Sequence, residues 1–312
     1  MTKSIEKYLS QLKKELSGCD AATVQDALSD AEEYLTTAVS SVTEGDPGAS
    51  DDDALTSVVE KYGRPEEVAA AYRDIESRTP PAFARPVYPE QEAADPDDTV
   101  EPAVPDTRPF YVRFFGIIAD PRAWGALLYL LFSLCTGIIY FTWAVTGISL
   151  SAGFLVLIIG LPFAALFLFS ARGIALAEGR IIEALLGIRM PRRPLFYSKS
   201  MGWWPRLKFM LTDRHTWLSV VYMILHLPLG IIYFTVFVTL IALSLYGIAS
   251  PVLELGFDIP LVMAYNESYY FTGWFMPFVV IGGILLLFAT MHLARYAGQL
   301  HGRLAKAMLV RI

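Results

Sequence analysis

The stretch Trp217–Gly247, WLSVVYMILHLPLGIIYFTVFVTLIALSLYG, contains no aspartate, glutamate, lysine or arginine. About 20 apolar residues suffice for a helix to cross the hydrocarbon layer of a membrane, which is about 30 Å thick. A second uncharged block runs from Trp124 to Ala171, where glycines and serines at 147–153 suggest a break, and a third begins at Trp274. We therefore predict four transmembrane helices, at about 124–146, 154–171, 217–247 and 274–293.

Composition supports a membrane protein. Of the 312 residues, 54% are apolar and only 18% are charged, whereas soluble domains average about 25% charged residues. The two cysteines, Cys19 and Cys135, exclude a disulfide-rich scaffold. Net charge is −10 over residues 1–77, −4 over 78–109 and +8 over 110–312. These ranges are our predicted acidic head, linker and membrane domain.

Basic residues indicate the orientation. They cluster between the second and third predicted spans and again after the fourth, whereas the loop 249–273 holds three acids and no basic residue. Lysine and arginine accumulate on the cytoplasmic side of membrane proteins. We predict a multi-pass protein of the cell (inner) membrane with both termini in the cytoplasm. The basic segment Arg172–Leu186 is expected to lie on the anionic inner leaflet.

The membrane half contains an internal repeat. GIIYFT occurs at 137–142 and again at 230–235, an offset of 93 that also aligns Asp120 with Asp213. Later the offset becomes 123 and aligns Arg172 with Arg295. Because each copy holds two spans, the copies share one orientation, as in transporters with parallel repeats. Duplication of a hairpin that needs a packing partner also explains the pattern, and we favour this explanation.

The first 77 residues show helical spacing of apolar side chains. Ile5, Leu9, Leu12 and Leu16 predict a first helix, and a longer second stripe ends at Val39. Gly63 should end a third helix, and Pro65 should begin a fourth with Glu66 and Glu67 in its first turn. Residues 78–109 hold eight prolines and seven acids, which predicts a disordered tether that is either drawn to the basic inner face or acts as an inert spacer.

Taken together, these patterns predict an all-α protein. It comprises a small cytoplasmic helical bundle, the tether, and a four-helix polytopic membrane domain built from two parallel helical-hairpin repeats. Self-association would cover part of the apolar surface of the hairpins, though lipid could do so as well.

Few residues qualify as a functional site. His226 lies nine residues into the third span, and an ionisable group there is a functional candidate, although a neutral, hydrogen-bonded histidine is the favoured interpretation. Asp120 and Asp213 are expected to cap helices, with a cation or proton site as the alternative. The outer loop mixes acids with aromatics, which suits a cation, a cationic peptide or an amphipathic envelope component. An aromatic belt at the membrane surface is the alternative, and we favour it for Trp274. The ligand-sensing candidates of the loop are Glu254, Asp258, Tyr265, Glu267 and Trp274.

The sequence lacks the catalytic and phosphate-binding motifs that we sought, namely GxxxxGK[ST], HExxH, CxxC and GxSxG. We expect a non-enzymatic protein with no cofactor, no metal site and no direct nucleic-acid binding. A lipid-modifying enzyme would have to use Glu178, Glu183 and His301, whose spacing matches no known motif.

Two resemblances cover most of the chain. Residues 4–75 resemble the bacterial HAAS signalling domain in Tyr8-Leu9-x-x-Leu12, in ALSDAEEY at 27–34 and in EKYGRPEEVA at 60–69. Residues 112–312 resemble a sensor membrane domain found ahead of some bacterial histidine kinases and in stand-alone proteins. The similarity lies in the paired hairpins and in IIGLPFAALFLFSARGIALAEGRIIEALLG at 158–187.

The resemblances imply signalling through a cytoplasmic regulator, such as a PadR-type regulator or a kinase. The candidate partner-docking residues lie at the turn after the third head helix: Tyr62, Gly63, Pro65, Glu66 and Glu67. The leading hypothesis is a membrane sensor or regulatory adaptor that relays an envelope or extracellular signal through the head. The alternative is a small-molecule or ion transporter or channel built from the repeated hairpin.

Overall fold

A computed structural model of the chain describes residues 2–45, 51–78, 109–155, 160–192, 208, 211–260, 262–264, 267–270 and 273–310. The predicted tether lies outside these ranges, apart from its end residues Arg78 and Pro109. The described chain is helical apart from turns and one short β-hairpin, so the all-α prediction is confirmed.

Four helices form the head, which we define as residues 2–78: α1 (Thr2–Glu15), α2 (Ala21–Gly45), α3 (Asp51–Tyr62) and α4 (Pro65–Arg78). The predicted stripes form its core, in which Leu12, Leu16, Leu35 and Val39 are buried. Burial of each such side chain stabilises the fold by about 1.5–3 kcal/mol.

The membrane half begins with a short α5 (Phe110–Phe115) and a 3₁₀ turn (Gly116–Ala119). Four long helices follow: α6 (Pro121–Leu155), α7 (Gly160–Leu186), α8 (Arg214–Phe257) and α9 (Met276–Leu309). Each is long and apolar enough to cross a membrane. Between α8 and α9, β1 (Val262–Ala264) pairs antiparallel with β2 (Glu267–Tyr269).

The predicted break at 147–153 is wrong, because α6 continues through it to Leu155. A helix in lipid satisfies its own backbone groups, so glycine and serine need not end it there. Gly147 instead serves packing, since a Cβ at this position would overlap the Phe167 ring of α7. Its missing side chain lets α6 and α7 approach closely.

The prediction that the basic segment Arg172–Leu186 lies separately on the inner leaflet is also wrong. Residues 172–186 continue the second span as one uninterrupted helix, α7. In the same way, α8 continues ten residues past the predicted end at 247, and α9 continues sixteen past 293. Hydropathy predicts where an apolar run ends, but the backbone hydrogen bonds of each of these helices continue past that point.

The repeat is visible in local geometry. The indole N–H of Trp124 donates to the carbonyl of Ile118 at 2.7 Å, and that of Trp217 donates to Leu211 at 2.8 Å. Each tryptophan thus bonds the residue six positions before it, at positions 93 apart. Both repeats enter their first long helix through the same turn.

The chain divides into two compact units. The first comprises Met1–Ala82, Ile138–His226 and Gly302–Ile312, and the second comprises Phe83–Gly137 and Leu227–His301. Within the second unit, α6 and α8 come close at Gly230, where a Cβ would lie 2.6 Å from the carbonyl oxygen of Ser133.

We predict that Gly230→Ala destabilises the protein, because the added methyl meets backbone that cannot move aside. The free energy of unfolding should fall by about 1–3 kcal/mol, the usual cost of overpacking, as measured by thermal unfolding in detergent. Gly153→Ala is the matched control, since nothing lies within 4 Å of its Cβ. Equal stability of the two variants would contradict the close approach.

Candidate functional site

A buried carboxylate is held by two tyrosines in the first unit. Glu178, on α7, is 1% exposed. It accepts hydrogen bonds from the hydroxyl of Tyr140 on α6 at 2.8 Å and from the hydroxyl of Tyr222 on α8 at 3.1 Å. Three helices therefore converge on one acidic side chain within a helix long enough to span a membrane. An ionisable group in such a position is a candidate for function.

His226 lies beside this cluster, one helical turn after Tyr222 on α8. It is fully buried, and its ring centre lies 5.3 Å from the ring centres of both Tyr140 and Tyr222. The structure thus joins the intramembrane candidate to a carboxylate and two phenols, which the sequence analysis did not nominate with it.

The second unit holds a matching arrangement around His301 on α9. The Tyr129 hydroxyl lies 2.7 Å from Nε2 of this histidine, and the Tyr233 hydroxyl lies 3.4 Å from Nδ1. His301 is buried, although its neighbours in the sequence include the basic residues Arg303 and Lys306.

The two arrangements are related by the repeat. Tyr129 and Tyr222 are 93 positions apart, and so are Tyr140 and Tyr233. The central acceptors Glu178 and His301 are 123 apart. Each repeat therefore supplies one polar centre on its second helix and one tyrosine to each of the two centres. The offsets in the sequence were the signal that could have identified these residues.

Asp120 and Asp213 each form an ion pair with an arginine of the other repeat. Asp213 pairs with Arg172 of α7 at 2.7 Å in the first unit, and Asp120 pairs with Arg295 of α9 at 2.9 Å in the second. Asp120 also accepts a hydrogen bond from the backbone N–H of Arg122 at 3.0 Å, which is the predicted capping role. An arginine thus occupies each carboxylate that might have bound a cation.

A short segment after α7 contacts the head. We call residues 187–192 the strap; Gly187, with φ of 67°, turns the chain out of α7. The Arg189 guanidinium donates to the Thr23 hydroxyl at 3.0 Å and to the Glu76 carbonyl at 3.3 Å, and it lies 3.7 Å from the Glu76 carboxylate. The Arg192 backbone N–H donates to both carboxylate oxygens of Asp26 at 2.9 Å.

The end of α9 adds a further contact to the same side of the head, because the Lys306 ammonium pairs with Asp20. We call Asp20, Thr23, Asp26 and Glu76 the docking face. It lies at the start of α2 and the end of α4. The acidic head itself therefore contacts the basic residues that follow α7 and lie near the end of α9. The sequence predicted such an attraction for the tether, which lies outside the described residues.

The strap is also anchored to the membrane half. The Arg192 side chain pairs with Glu183 of α7 at 2.7 Å, and this hydrogen bond raises the pKa of the guanidinium. Met190 is buried against Gly179, and Ile188 fills the space that a Cβ at Gly302 would occupy. Gly179 and Gly302 are repeat-equivalent, 123 positions apart, so one strap contacts the second helix of each repeat.

The predicted docking turn makes several contacts within the head. Tyr62 stacks on Tyr34 with ring centres 4.7 Å apart. Gly63, with φ of 107°, accepts a hydrogen bond from the Tyr8 hydroxyl at 2.8 Å, and burial raises the pKa of Tyr8 to about 12.

In the same turn, the Glu67 carboxylate accepts the backbone N–H of Arg64 at 2.9 Å, which lowers the pKa of Glu67. This is half of a capping box at the start of α4. Pro65 opens that helix and Glu66 is exposed in its first turn, and none of the five residues belongs to the docking face.

The outer-loop candidates occupy different surroundings. Glu254 is buried on α8, whereas Asp258 is exposed with φ of 54° just after that helix. The Tyr270 hydroxyl donates to the Asp258 carbonyl at 3.3 Å, and its pKa is raised by desolvation and by the nearby carboxylates of both acids. Trp274 is 70% exposed. Tyr265 and the side chain of Glu267 lie outside the described residues.

Comparison with known families matches both parts of the chain. The family model described as "Putative sensor" matches residues 129–309, and the model described as HAAS matches residues 7–71. Searches of curated proteins and of solved structures gave no match. Both resemblances drawn from the sequence are therefore confirmed.

We predict that the two repeat-equivalent ion pairs differ in strength. The Arg172 and Asp213 side chains are 16% and 7% exposed, whereas those of Arg295 and Asp120 are 39% and 24% exposed. Breaking a buried pair costs about 3–5 kcal/mol, and an exposed pair contributes about 0–1 kcal/mol. Asp213→Asn should therefore lower the thermal stability in detergent far more than Asp120→Asn, and the reverse order would contradict this assignment.

Proposed function

Because this chain belongs to the "Putative sensor" family, we propose that it is a non-enzymatic membrane sensor or regulatory adaptor. It relays an envelope or extracellular signal to a cytoplasmic partner through the HAAS head. The basic ends of the spans support a topology in which the head, the strap and both termini lie in the cytoplasm.

The contact between the strap and the docking face is the observation that supports this proposal. Arg189 reaches the head from the end of α7, and Lys306 reaches it from the end of α9. These are the second helices of the two repeats. A shift of either helix therefore alters charge-assisted hydrogen bonds to the head, whose strength depends on short distances and good alignment.

The input is proposed to act on the packing of the two hairpins. The end of α8 with Glu254, and the segment between α8 and α9 with Asp258 and Trp274, belong to the part of the second repeat that the first lacks. Relay of a signal requires two arrangements of the helices with different affinity for the stimulus. The docked head is one arrangement, and a released head is the other.

We predict that Arg189→Glu releases the head, because it places a carboxylate opposite Glu76. The full-length variant should recover a cytosolic protein by crosslinking and mass spectrometry in at least severalfold excess over wild type. Arg303→Glu is the matched control, because Arg303 is exposed one turn from Lys306 on α9.

Removal of residues 1–77 should abolish that recovery. If wild type, Arg189→Glu and the truncated protein all bring down the same membrane components and no cytosolic protein, the head is not the output and the relay is wrong.

Transport of an ion or small molecule is a second candidate, favoured by the burial of Glu178 and His226 in span-length helices. It predicts a flux across proteoliposomes that His226→Leu strongly reduces, because leucine removes the buried imidazole beside Glu178. The ion or solute flux is measured with wild type and empty liposomes in parallel. Equal flux in wild-type and empty liposomes for protons and common cations would contradict ion transport.

A further inference from the structure

We infer that the docking face of the head is a binding surface for an extended, arginine-containing protein segment, and that the strap and a soluble partner compete for it. This inference rests on the proposed function and names the surface and the chemistry of the partner. The partner offers an arginine side chain followed, three residues later, by a free backbone N–H.

The strap shows what the face recognises. Two groups of the strap donate hydrogen bonds to the head: the Arg189 guanidinium and the Arg192 backbone N–H. The Arg192 side chain pairs with Glu183 of α7, and its charge also interacts with the Asp26 carboxylate of the head. Pro191 has no N–H to compete, so the next amide meets the Asp26 carboxylate. The hydrogen bonds from the strap to the head thus come from one guanidinium and one backbone N–H, and many extended segments could provide both groups.

The geometry of the face suits a guanidinium. Thr23 and Glu76 come from different helices, α2 and α4, and both accept from Arg189. Glu76 is itself held in place, because its carboxylate accepts the backbone N–H of Asp20 at 3.1 Å. Hydrogen bonds between a guanidinium and fixed acceptors are directional as well as charge-assisted. A lysine would satisfy fewer of these acceptors.

The charge of the head favours such a partner over an acidic one. Residues 1–77 carry 17 acidic and 7 basic side chains. A basic segment is therefore attracted to the head from a distance, and the attraction weakens with salt.

Competition follows from the covalent connection. The strap belongs to the same chain, so its effective concentration at the face is in the millimolar range or above. A partner segment binds with an apparent affinity reduced by the fraction of heads that are open. Withdrawal of the strap by α7 or α9 would raise that fraction. The sensor thereby controls a partner without any change in the head itself.

The test uses full-length protein in nanodiscs of uncharged lipid, so that the bilayer does not attract the probe. The probe is a fluorescent, end-capped peptide with the sequence of residues 187–192, GIRMPR, titrated into the millimolar range and followed by anisotropy. The control peptide has alanine in place of its first arginine. Arg189→Ala combined with Lys306→Ala opens the face, and Arg303→Ala is the matched control variant.

The opened variant should bind GIRMPR at least tenfold more tightly than wild type or Arg303→Ala, and should prefer it to the control peptide. Adding Asp26→Ala and Glu76→Gln should remove this gain. Glutamine keeps the acceptor for the Asp20 amide, and alanine favours the helix, so the head stays folded. Circular dichroism checks this, and Asp26→Ala alone serves if the combination unfolds.

Equal binding of both peptides, no gain in the opened variant, or a gain that survives loss of Asp26 and Glu76 would each overturn the inference. These results are separable from failure of the proposed function. If the head recruits a protein after Arg189→Glu but the peptide tests fail, the partner uses another surface, and the inference is wrong while the relay stands. If the peptide binds as expected but no head-dependent recruitment occurs, the relay is wrong while the inference about the face stands.

Discussion

Pairing of charges at the ends of the spans is the constraint on which the membrane half depends. A carboxylate removed from water is costly unless an opposite charge and hydrogen bonds meet it. Asp213 meets Arg172, and Asp120 meets Arg295, so each acid finds its partner in the other repeat. Neither of these two pairs is completed within one repeat. The duplicated hairpins are thus held together by the residues that begin and end them, and Glu178 and His301 each contact one tyrosine of their own repeat and one of the other.

This exchange also explains how the two copies could diverge. The tyrosines keep their places in both repeats, while the group they contact is a carboxylate in one and an imidazole in the other. A hydroxyl can donate to a carboxylate and either donate to or accept from a histidine. The phenols therefore tolerate the substitution, and the two halves acquire different chemistry on one scaffold.

The elements were predictable from the sequence because local patterns determine them. Apolar runs identified the long helices, and the 3.6-residue spacing of Ile5, Leu9, Leu12 and Leu16 identified the first helix of the head. Helix ends were less predictable. Gly147 interrupts hydropathy without interrupting hydrogen bonds, and α7 continues through Arg172. Contacts between distant residues were the largest omission: Arg189 and Thr23 are 166 positions apart. The charges of both partners were visible, but no local rule determines which of many acids and bases meet.

The strap makes the chain intolerant of length changes at one point. Ile188 and Met190 face the glycines of α9 and α7, while Arg189 between them faces the head. Alternation of this kind fixes a register, as in a strand with two different faces. Insertion or loss of a single residue would turn the arginine toward the glycines and an apolar side chain toward the acids. The second repeat has absorbed 30 extra residues, spread over the end of α8, the segment between α8 and α9, and the start of α9, whereas the six residues of the strap must keep their number.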